Sequence, residues 1–310
     1  MILVTGKGGV GKSTVAAALA MVSSRHLGLK TMLVELDARL SAARLFGKPA
    51  ATYGVAEVAE RIWMINVTGR EAVRDYLNLV LPVKRLTDRI AAHPFYRYFV
   101  DAAPGIKELL TFGKIWKLQD EKHRGRQAYD LVVVDGYPSG QTVNMLRAPL
   151  EVVNTLKVGP IASKARLLVD LMRDPQRSAF LLVTLPEEMP VAESIELHHM
   201  LTAEIQMKPA GVVVNAILPK RFYGDALAHP TRVQRAVRSA LAGIGVDEEH
   251  AAYVYGSAHE EMRWRQLHEH YLKKMANDLS GPFFQVPFVF DSSDPARVVE
   301  RVAEVIRRAL

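Results

Sequence analysis

The stretch GKGGVGKST at residues 6–14 has the residue types and spacing of a loop that binds phosphate groups. Four residues occupy the fixed places of the pattern G-x-x-x-x-G-K-[ST]: Gly6, Gly11, Lys12 and Ser13. In such a loop, glycines let backbone N–H groups turn toward phosphate oxygens at a helix N-terminus. Lys12 would reach the β- and γ-phosphates, and the Ser13 hydroxyl would bind Mg²⁺. The predicted nucleotide contacts are Gly8, Gly9, Val10, Gly11, Lys12, Ser13 and Thr14.

The sequence on either side of the loop supplies the context that the pattern requires. MILVT before it is a β-branched and apolar run that predicts a strand, and TVAAALAMV after it is Ala-rich and predicts a helix. An ordinary glycine-rich turn is the alternative. The order strand, glycine loop and helix favours phosphate binding.

Lys7 is a second lysine in a loop that ordinarily needs one. Because Lys12 serves the phosphates of its own chain, we expect Lys7 near the mouth of the site, pointing away from the loop. In a face-to-face dimer with two nucleotides at the interface, Lys7 would stabilise charge on the partner's phosphoryl group. A solvated loop lysine is the alternative. The stretch KGGVGKS resembles the deviant P-loop of the MinD, ParA and arsenite-pump ATPase class, which implies this crossing role and a nucleotide-sandwich dimer.

Nucleotide hydrolysis also needs a carboxylate near Mg²⁺ and a group that orients the attacking water. Asp37 follows the apolar run MLVEL, and Asp135 follows DLVVV, so both lie at the carboxyl ends of predicted strands. Either residue is also compatible with a helix cap or a turn. Glu35 is an alternative carboxylate on the Mg²⁺ side or the water side.

Two further segments resemble the arsenite-pump and tail-anchored-protein targeting ATPases. YDLVVVDGYPSGQTVNMLRAPL resembles their switch II, with matches at Asp135, Pro138, Gly140 and Thr142. DARLSAARLFG resembles their switch I in part, since Ala-Arg-Leu stands where the family has Pro-Ala-His after Asp37. The resemblance implies that Asp37 orients the water and that Asp135 senses the γ-phosphate. Both would reach Mg²⁺ through water.

The stretch VVVN ends at Asn215 and resembles the strand whose Asn reads the adenine edge in this family. An amide can fill that role because it donates and accepts at once. A strand-end turn residue is the alternative. ATP is expected rather than GTP because the family uses ATP and because the guanine-reading sequence N-K-x-D does not occur.

The remaining pattern predicts an α/β fold. Seven apolar, strand-like runs alternate with helical stretches, at residues 1–5, 31–36, 61–67, 129–136, 179–187, 210–218 and 283–290. Strands that are apolar on both faces indicate a mainly parallel sheet with helices on both faces, as in a P-loop NTPase. We predict one domain over residues 1–310, with a helical insertion subdomain at 70–128. The sequence does not decide whether residues 155–178 form a second piece of that subdomain.

Composition narrows the functional classes. The 310 residues are 49% apolar and carry a formal charge of +7, which favours anionic partners, but the basic stretches lack interleaved aromatics and do not favour a nucleic-acid site. The absence of cysteine excludes disulfides and thiolate metal sites. Strand sequence from residue 1 leaves no room for a signal peptide, and no apolar run reaches the roughly 20 residues of a membrane span. We expect a soluble, cytoplasmic protein.

Three histidines in HEEMRWRQLHEHYLKKM, His259, His268 and His270, are expected to be solvated rather than to bind zinc. The last helix, DPARVVERVAEVIRRAL, is amphipathic and is expected to pack on the sheet; a membrane-targeting helix is the alternative. Apolar stripes within 70–128 are interpreted as core, with a client-binding groove as the alternative.

The chain departs from the resembled family in its cysteines. Arsenite-pump members bind metalloid through cysteines, and targeting members clamp their dimer with a Cys-x-x-Cys zinc site; this chain has neither. We therefore predict an ATPase that is not an arsenite-binding pump subunit and that forms a homodimer, or a heterodimer with a related ATPase. Its cycle would act on a partner or client protein. A positioning ATPase on membrane or DNA, and a weakly hydrolysing subunit of a heteromeric complex, are the alternatives.

Overall fold

The computed structural model of the chain describes residues 1–36, 42–49, 53–80, 105–221, 230–290 and 294–309. Asp37 and residues 81–104 of the expected insertion lie outside these ranges. The predicted role of Asp37 therefore stays a prediction.

Eight strands form the main sheet: β1 (Ile2–Gly6), β2 (Thr31–Glu35), β3 (Ala56–Ala59), β4 (Ile62–Asn66), β7 (Leu131–Pro138), β8 (Ala179–Thr184), β9 (Pro209–Ile217) and β10 (Phe283–Pro287). A separate hairpin pairs β5 (Lys122–His123) with β6 (Arg126–Gln127). The order in the main sheet is β10-β9-β8-β1-β7-β2-β4-β3. All neighbours pair in parallel except β3 and β4, which are antiparallel. The predicted mainly parallel sheet is confirmed, and all seven expected strands are present.

Nine helices occur in the described ranges: α1 (Lys12–Arg25), α2 (Gly69–Val80), α3 (Ile106–Asp120), α4 (Ser139–Thr155), α5 (Pro160–Arg173), α6 (Glu188–His199), α7 (Pro230–Ala242), α8 (Glu248–Asp278) and α9 (Pro295–Ala309). A short 3₁₀ turn spans Ala42–Phe46, and a π turn, Met200–Glu204, continues α6.

Helices cover both faces of the sheet, as the apolar strands require. Side chains alternate between the faces along a strand, so Leu3 and Val4 of β1 belong to two different core clusters. The cluster around Val4 contains residues of α1 and α9, and the cluster around Leu3 contains residues of α3, α4, α5, α6 and α8. Each buried Val or Leu contributes about 1.5–3 kcal/mol relative to an exposed position. Burial on both faces therefore stabilises the central strands in the middle of the fold.

The described part of residues 70–128 consists of α2, α3 and the β5–β6 hairpin. Phe112 and Ile115 of α3 are almost fully buried in the same cluster as strand residues. For these residues the apolar stripe is core. A hydrogen-bonded group joins the neighbouring elements, because the Tyr53 hydroxyl and the Lys114 ammonium both donate to Asp75 of α2.

Helix α9 packs on α1. Its residues Val299, Val302 and Ile306 are buried in the cluster that contains α1, which agrees with the expected packing role. No helix in the described ranges combines the length and the apolarity that crossing a membrane requires.

Candidate functional site

The loop between β1 and α1 has the backbone shape of a phosphate cradle. A Cβ atom at Gly6 would collide with the carbonyl oxygen of Val183 in β8, and one at Gly11 would collide with the side-chain amide of Asn215. Gly11 also has φ of +95°, a left-handed conformation that glycine adopts without strain. At Gly8 and Gly9 an added Cβ would meet nothing within 4 Å. The loop is thus held tightly at both ends and faces open space in its middle.

Helix α1 begins at Lys12, directly behind Gly11. Because glycine has no side chain, the N-cap residue does not cover the amides of the first helical turn. Such a helix N-terminus attracts anions through its N–H groups and its partial positive charge. The Lys12 ammonium donates a hydrogen bond of 2.9 Å to the backbone oxygen of Lys7, so it lies across the loop itself. The backbone and Lys12 therefore fit a polyphosphate.

Asn215 lies beside this loop, at the end of β9. Its Nδ2 atom donates a hydrogen bond of 2.9 Å to the backbone oxygen of Val10. The amide therefore braces the loop. Its predicted contact with adenine stays a prediction.

Neighbouring positions of β7 and β2 bring two of the predicted carboxylates, Asp135 and Glu35, together. Asp135 pairs in register with Val4 of β1 on one side and with Glu35 of β2 on the other. Paired residues of parallel strands share a face, so Asp135 and Glu35 lie on the α1 side of the sheet. Only 6% of Asp135 is exposed, and Glu35 is fully buried. The sequence prediction that Asp135 lies at the loop end of the sheet is consistent with this position, and its role is untested.

The segment after Asp135 passes close to β1. An added Cβ at Gly136 would lie 2.6 Å from the backbone oxygen of Val4, so no larger residue fits without a shift. The Thr142 hydroxyl donates a hydrogen bond of 2.7 Å to the Tyr137 oxygen and fastens the turn into α4. The end of β7 is therefore packed closely against β1 and passes directly into α4.

Glu35 accepts two hydrogen bonds inside the protein. Its Oε1 atom accepts from the Ala42 backbone at 2.7 Å, and its Oε2 atom accepts from Asn66 Nδ2 at 2.9 Å. Glu35 and Ala42 flank residues 37–41, which contain Asp37. The carboxylate that the sequence offered as an alternative for the chemistry thus anchors one end of switch I. Sequence reasoning missed Asn66, although a polar residue ending the apolar run IWMIN is a signal for such a role.

Lys7 forms an ion pair within its own chain. Its Nζ atom lies 2.8 Å from Oε2 of Glu193 in α6. The hydroxyl of Ser139, the first residue of α4, donates a hydrogen bond to Oε1 of the same carboxylate. Burial raises the pKa of Glu193, but the hydrogen bonds from Lys7 and Ser139 and the charge of Lys7 outweigh it, so the pKa lies below its ordinary value.

Sequence reasoning missed Glu193. The residue lies in PVAES, a segment that the sequence analysis did not connect with the loop. Its proximity follows from strand order, because β8 is the neighbour of β1 and α6 follows β8. Sequence alone does not give that order.

One histidine prediction is wrong. His268 is buried, with 6% exposed, and its Nδ1 atom accepts a hydrogen bond from the Leu218 backbone at 3.3 Å. His259 is partly exposed and His270 is exposed. The expectation of solvation failed for His268 because α8 turns that residue toward the end of β9. The described residues contain no cluster of three or more potential metal ligands among His, Cys, Asp and Glu.

The site therefore combines an anion-binding loop, a helix N-terminus, two lysines and buried carboxylates at the carboxyl ends of central parallel strands. This is the arrangement of a P-loop nucleoside triphosphatase. The hydroxyl of Ser13 and the nearby carboxylates are oxygen donors, which suit Mg²⁺.

Comparison with known proteins gives the family. The sequence model of the anion-transporting ATPases matches residues 1–168 and 158–242. The chain is 30% identical to the ATPase BagA of Mycobacterium tuberculosis over 96% of this chain and 90% of that protein. It is 24% identical to an arsenical pump-driving ATPase of Escherichia coli over 77% of this chain and 44% of that protein. It is also 27% identical to the ATPase ASNA1 homolog 2 of Paramecium tetraurelia over 48% of this chain.

The chain belongs to the ArsA family of ATPases. It is accordingly an ATP-binding ATPase, and the resemblance seen in its loop and switch II is confirmed.

Proposed function

We propose that this chain hydrolyses ATP in a nucleotide-sandwich dimer and that the resulting conformational cycle acts on a partner or client protein. The observation that carries the proposal is the second lysine of the loop. Lys12 lies across the phosphate cradle, whereas the Lys7 side chain leaves it and reaches a residue of another element. A side chain in that position is available to a second nucleotide when two loops face each other.

The chemistry is attack of water on the γ-phosphate. The amides of the loop and Lys12 hold the phosphates, and Lys7 stabilises charge on the phosphoryl group bound by the partner. Asp37 orients the water, and Asp135 couples the γ-phosphate to switch II. Mg²⁺, held by the Ser13 hydroxyl and through water by Asp37 and Asp135, would neutralise charge on the phosphates.

The proposed client is a protein with an apolar segment, and membrane-protein targeting is one such use. Five exposed apolar side chains lie at the start of α3, between α4 and α5, and on α5: Ile106, Leu156, Val158, Ile161 and Leu167. Exposed apolar residues on these neighbouring helices support an interaction surface. Metalloid binding is not part of the proposal, because the chain has no cysteine to supply the soft ligands.

The dimer is proposed to form between two copies of this chain or between this chain and a related ATPase. The proposed location is the cytoplasm, where ATP is supplied, and transient contact with a membrane would accompany delivery of a client. A nucleic-acid partner is not proposed, because the basic stretches lack interleaved aromatics.

The test compares wild type with Lys7→Ala, with the exposed Lys30→Ala at the opposite end of the sheet as a control. Mass in solution and ATPase rate are measured without nucleotide, with ADP and with a non-hydrolysable ATP analogue. We expect the analogue to dimerise wild type, and Lys7→Ala to bind nucleotide but lose hydrolysis. Normal hydrolysis by Lys7→Ala would overturn the crossing role. A wild type that stays monomeric and inactive would require a second, related chain.

A further inference from the structure

The Glu193 carboxylate contacts both the phosphate-binding loop and the start of α4. One of its oxygens pairs with Lys7 of the loop at 2.8 Å, and the other accepts a hydrogen bond from Ser139. Ser139 is the first residue of α4 and lies within the segment that resembles switch II. Glu193 itself belongs to α6, outside the loop and both switches, so one side chain joins three elements.

The ion pair with Glu193 holds Lys7 within its own chain, whereas the role proposed for Lys7 is contact with the phosphoryl group bound by the partner. In a dimer with Lys7 crossing the interface, the phosphoryl group bound by the partner competes with Glu193 for the donors of the Lys7 ammonium. Crossing of Lys7 therefore weakens its contact with Glu193. The Lys12 ammonium, which bonds the Lys7 backbone oxygen at 2.9 Å, must likewise leave that oxygen to reach phosphates. Both lysines of the loop are held within the chain in this structure.

The bond from Ser139 gives this contact a link to the nucleotide. Ser139 lies four residues after Asp135, the proposed γ-phosphate sensor, and the end of β7 that joins them is held by the close approach of Gly136 to β1 and by the Thr142 hydrogen bond. A shift of that end of β7 would move Ser139 relative to Glu193. Loss of the Ser139 bond then weakens the hold of the carboxylate on Lys7.

We propose that Glu193 is a positioning residue that holds Lys7 inside its own chain until ATP is bound, and that Ser139 connects its release to switch II. This inference rests on the proposed crossing role of Lys7. It adds that the free chain is biased against the dimer by an internal contact, so that nucleotide and dimer formation are coupled.

The size of the bias against the dimer follows from the exposure of the Lys7 and Glu193 side chains. About a third of each partner's side chain is exposed, at 32% for both, so water screens the pair. Pairs of this kind change an equilibrium by a factor of about 2 to 5. Formation of a homodimer weakens two such ion pairs, one in each chain. The dissociation constant of the Glu193→Gln dimer with the ATP analogue should therefore be about 4- to 25-fold lower than that of wild type.

The first measurement needs no dimer. The rate at which an amine-reactive acetylating reagent modifies Lys7 is read by mass spectrometry in dilute protein without nucleotide. Glu193→Gln should raise this rate several-fold. The matched control is Glu196→Gln, which makes the same charge change at an exposed position of the same helix and should not alter the rate. Ser139→Ala should also raise the rate of Lys7 modification without nucleotide.

The second measurement is the dimer dissociation constant of the same variants with the ATP analogue. Equal Lys7 modification in wild type and Glu193→Gln would overturn the proposal, as would a Glu193→Gln dimer no tighter than wild type. Those results leave the crossing role standing if Lys7→Ala still abolishes hydrolysis. If Lys7→Ala hydrolyses ATP normally, the crossing role fails instead, whatever the modification rates show. Thermal unfolding of each variant separates these effects from a general loss of stability.

Discussion

The carboxylate of Glu35 and the amide of Asn66 form a buried hydrogen bond of 2.9 Å between adjacent strands, β2 and β4. The same carboxylate accepts a bond from the Ala42 backbone, within the segment that resembles switch I. The two ends of the segment that contains Asp37 are therefore tied to the sheet through one side chain. We expect the proposed role of Asp37 to depend on this anchor.

Glu35→Gln tests the anchor. A glutamine offers one oxygen where two donors need an acceptor, so one buried donor loses its partner at a cost of about 1–3 kcal/mol. We expect a lower free energy of unfolding and a larger loss of ATP hydrolysis than of ATP binding. Urea unfolding, nucleotide titration and ATPase rates measure these. The exposed Glu60→Gln serves as the control, and equal losses in binding and hydrolysis would contradict an effect through Asp37.

Asn215→Ala separates bracing of the loop from recognition of the base. Loss of the bond to Val10 should lower the free energy of unfolding by about 0.5–1.5 kcal/mol. If Asn215 also contacts adenine, its loss should weaken the binding of ATP more than the binding of inorganic tripolyphosphate. A contact that contributes about 1.4 kcal/mol corresponds to an about tenfold difference in affinity. Calorimetric titration with both ligands measures the difference. Asn144→Ala, at an exposed position of α4, is the control. Equal weakening of both ligands would leave only the bracing role.

Gly11→Ala should destabilise the protein, whereas Gly8→Ala should not. Alanine at Gly11 would be forced to a φ of +95° and against the Asn215 amide, at a cost of about 1–3 kcal/mol. At Gly8 a methyl group meets nothing within 4 Å, so the free energy of unfolding should stay within about 0.5 kcal/mol of wild type. Chemical unfolding of both variants measures this. Equal stability of the two would show that the loop relaxes around a side chain at Gly11.

The central sheet was predictable from sequence because its strands are apolar on both faces. The runs that contain LVVV and VVVN cannot lie on a half-exposed sheet, so they predict a covered parallel one. Strand β3, with sequence AEVA, was missed because only Val58 of its four residues is buried and no periodicity distinguishes so short an edge strand.

The local part of the site was predictable, and its long-range contacts were not. The glycine spacing of residues 6–14 fixes the cradle through backbone geometry alone. Glu193 and Asn66 reach the site only through the order of strands in the sheet, which is a property of the whole fold. The prediction that His268 is solvated was wrong for the same reason, because its burial depends on the contact of α8 with the end of β9.

Stability should fall with acid through two buried histidines, His198 and His268. Burial lowers the pKa of both, with a further lowering at His268 from the charge of Arg265 and a partial opposing effect at His198 from Ser280. Because the folded-state pKa lies below the unfolded value of about 6.5, the unfolded chain binds more protons in this window. The stabilisation is therefore complete above about pH 6.5 and is lost as pH falls toward the folded-state pKa.

Urea unfolding at several pH values between about 7.5 and 5.5 measures this dependence. Substitution of a buried histidine removes its proton linkage, so His268→Gln should flatten the fall between those limits even where it lowers stability overall. The exposed His270→Gln makes the same change of side chain outside the two buried sites and serves as the control. The acidic residues with lowered pKa, Glu193 and Asp75, lose their contribution only at lower pH, as their carboxylates protonate. An unchanged slope in His268→Gln would show that this histidine is not linked to folding.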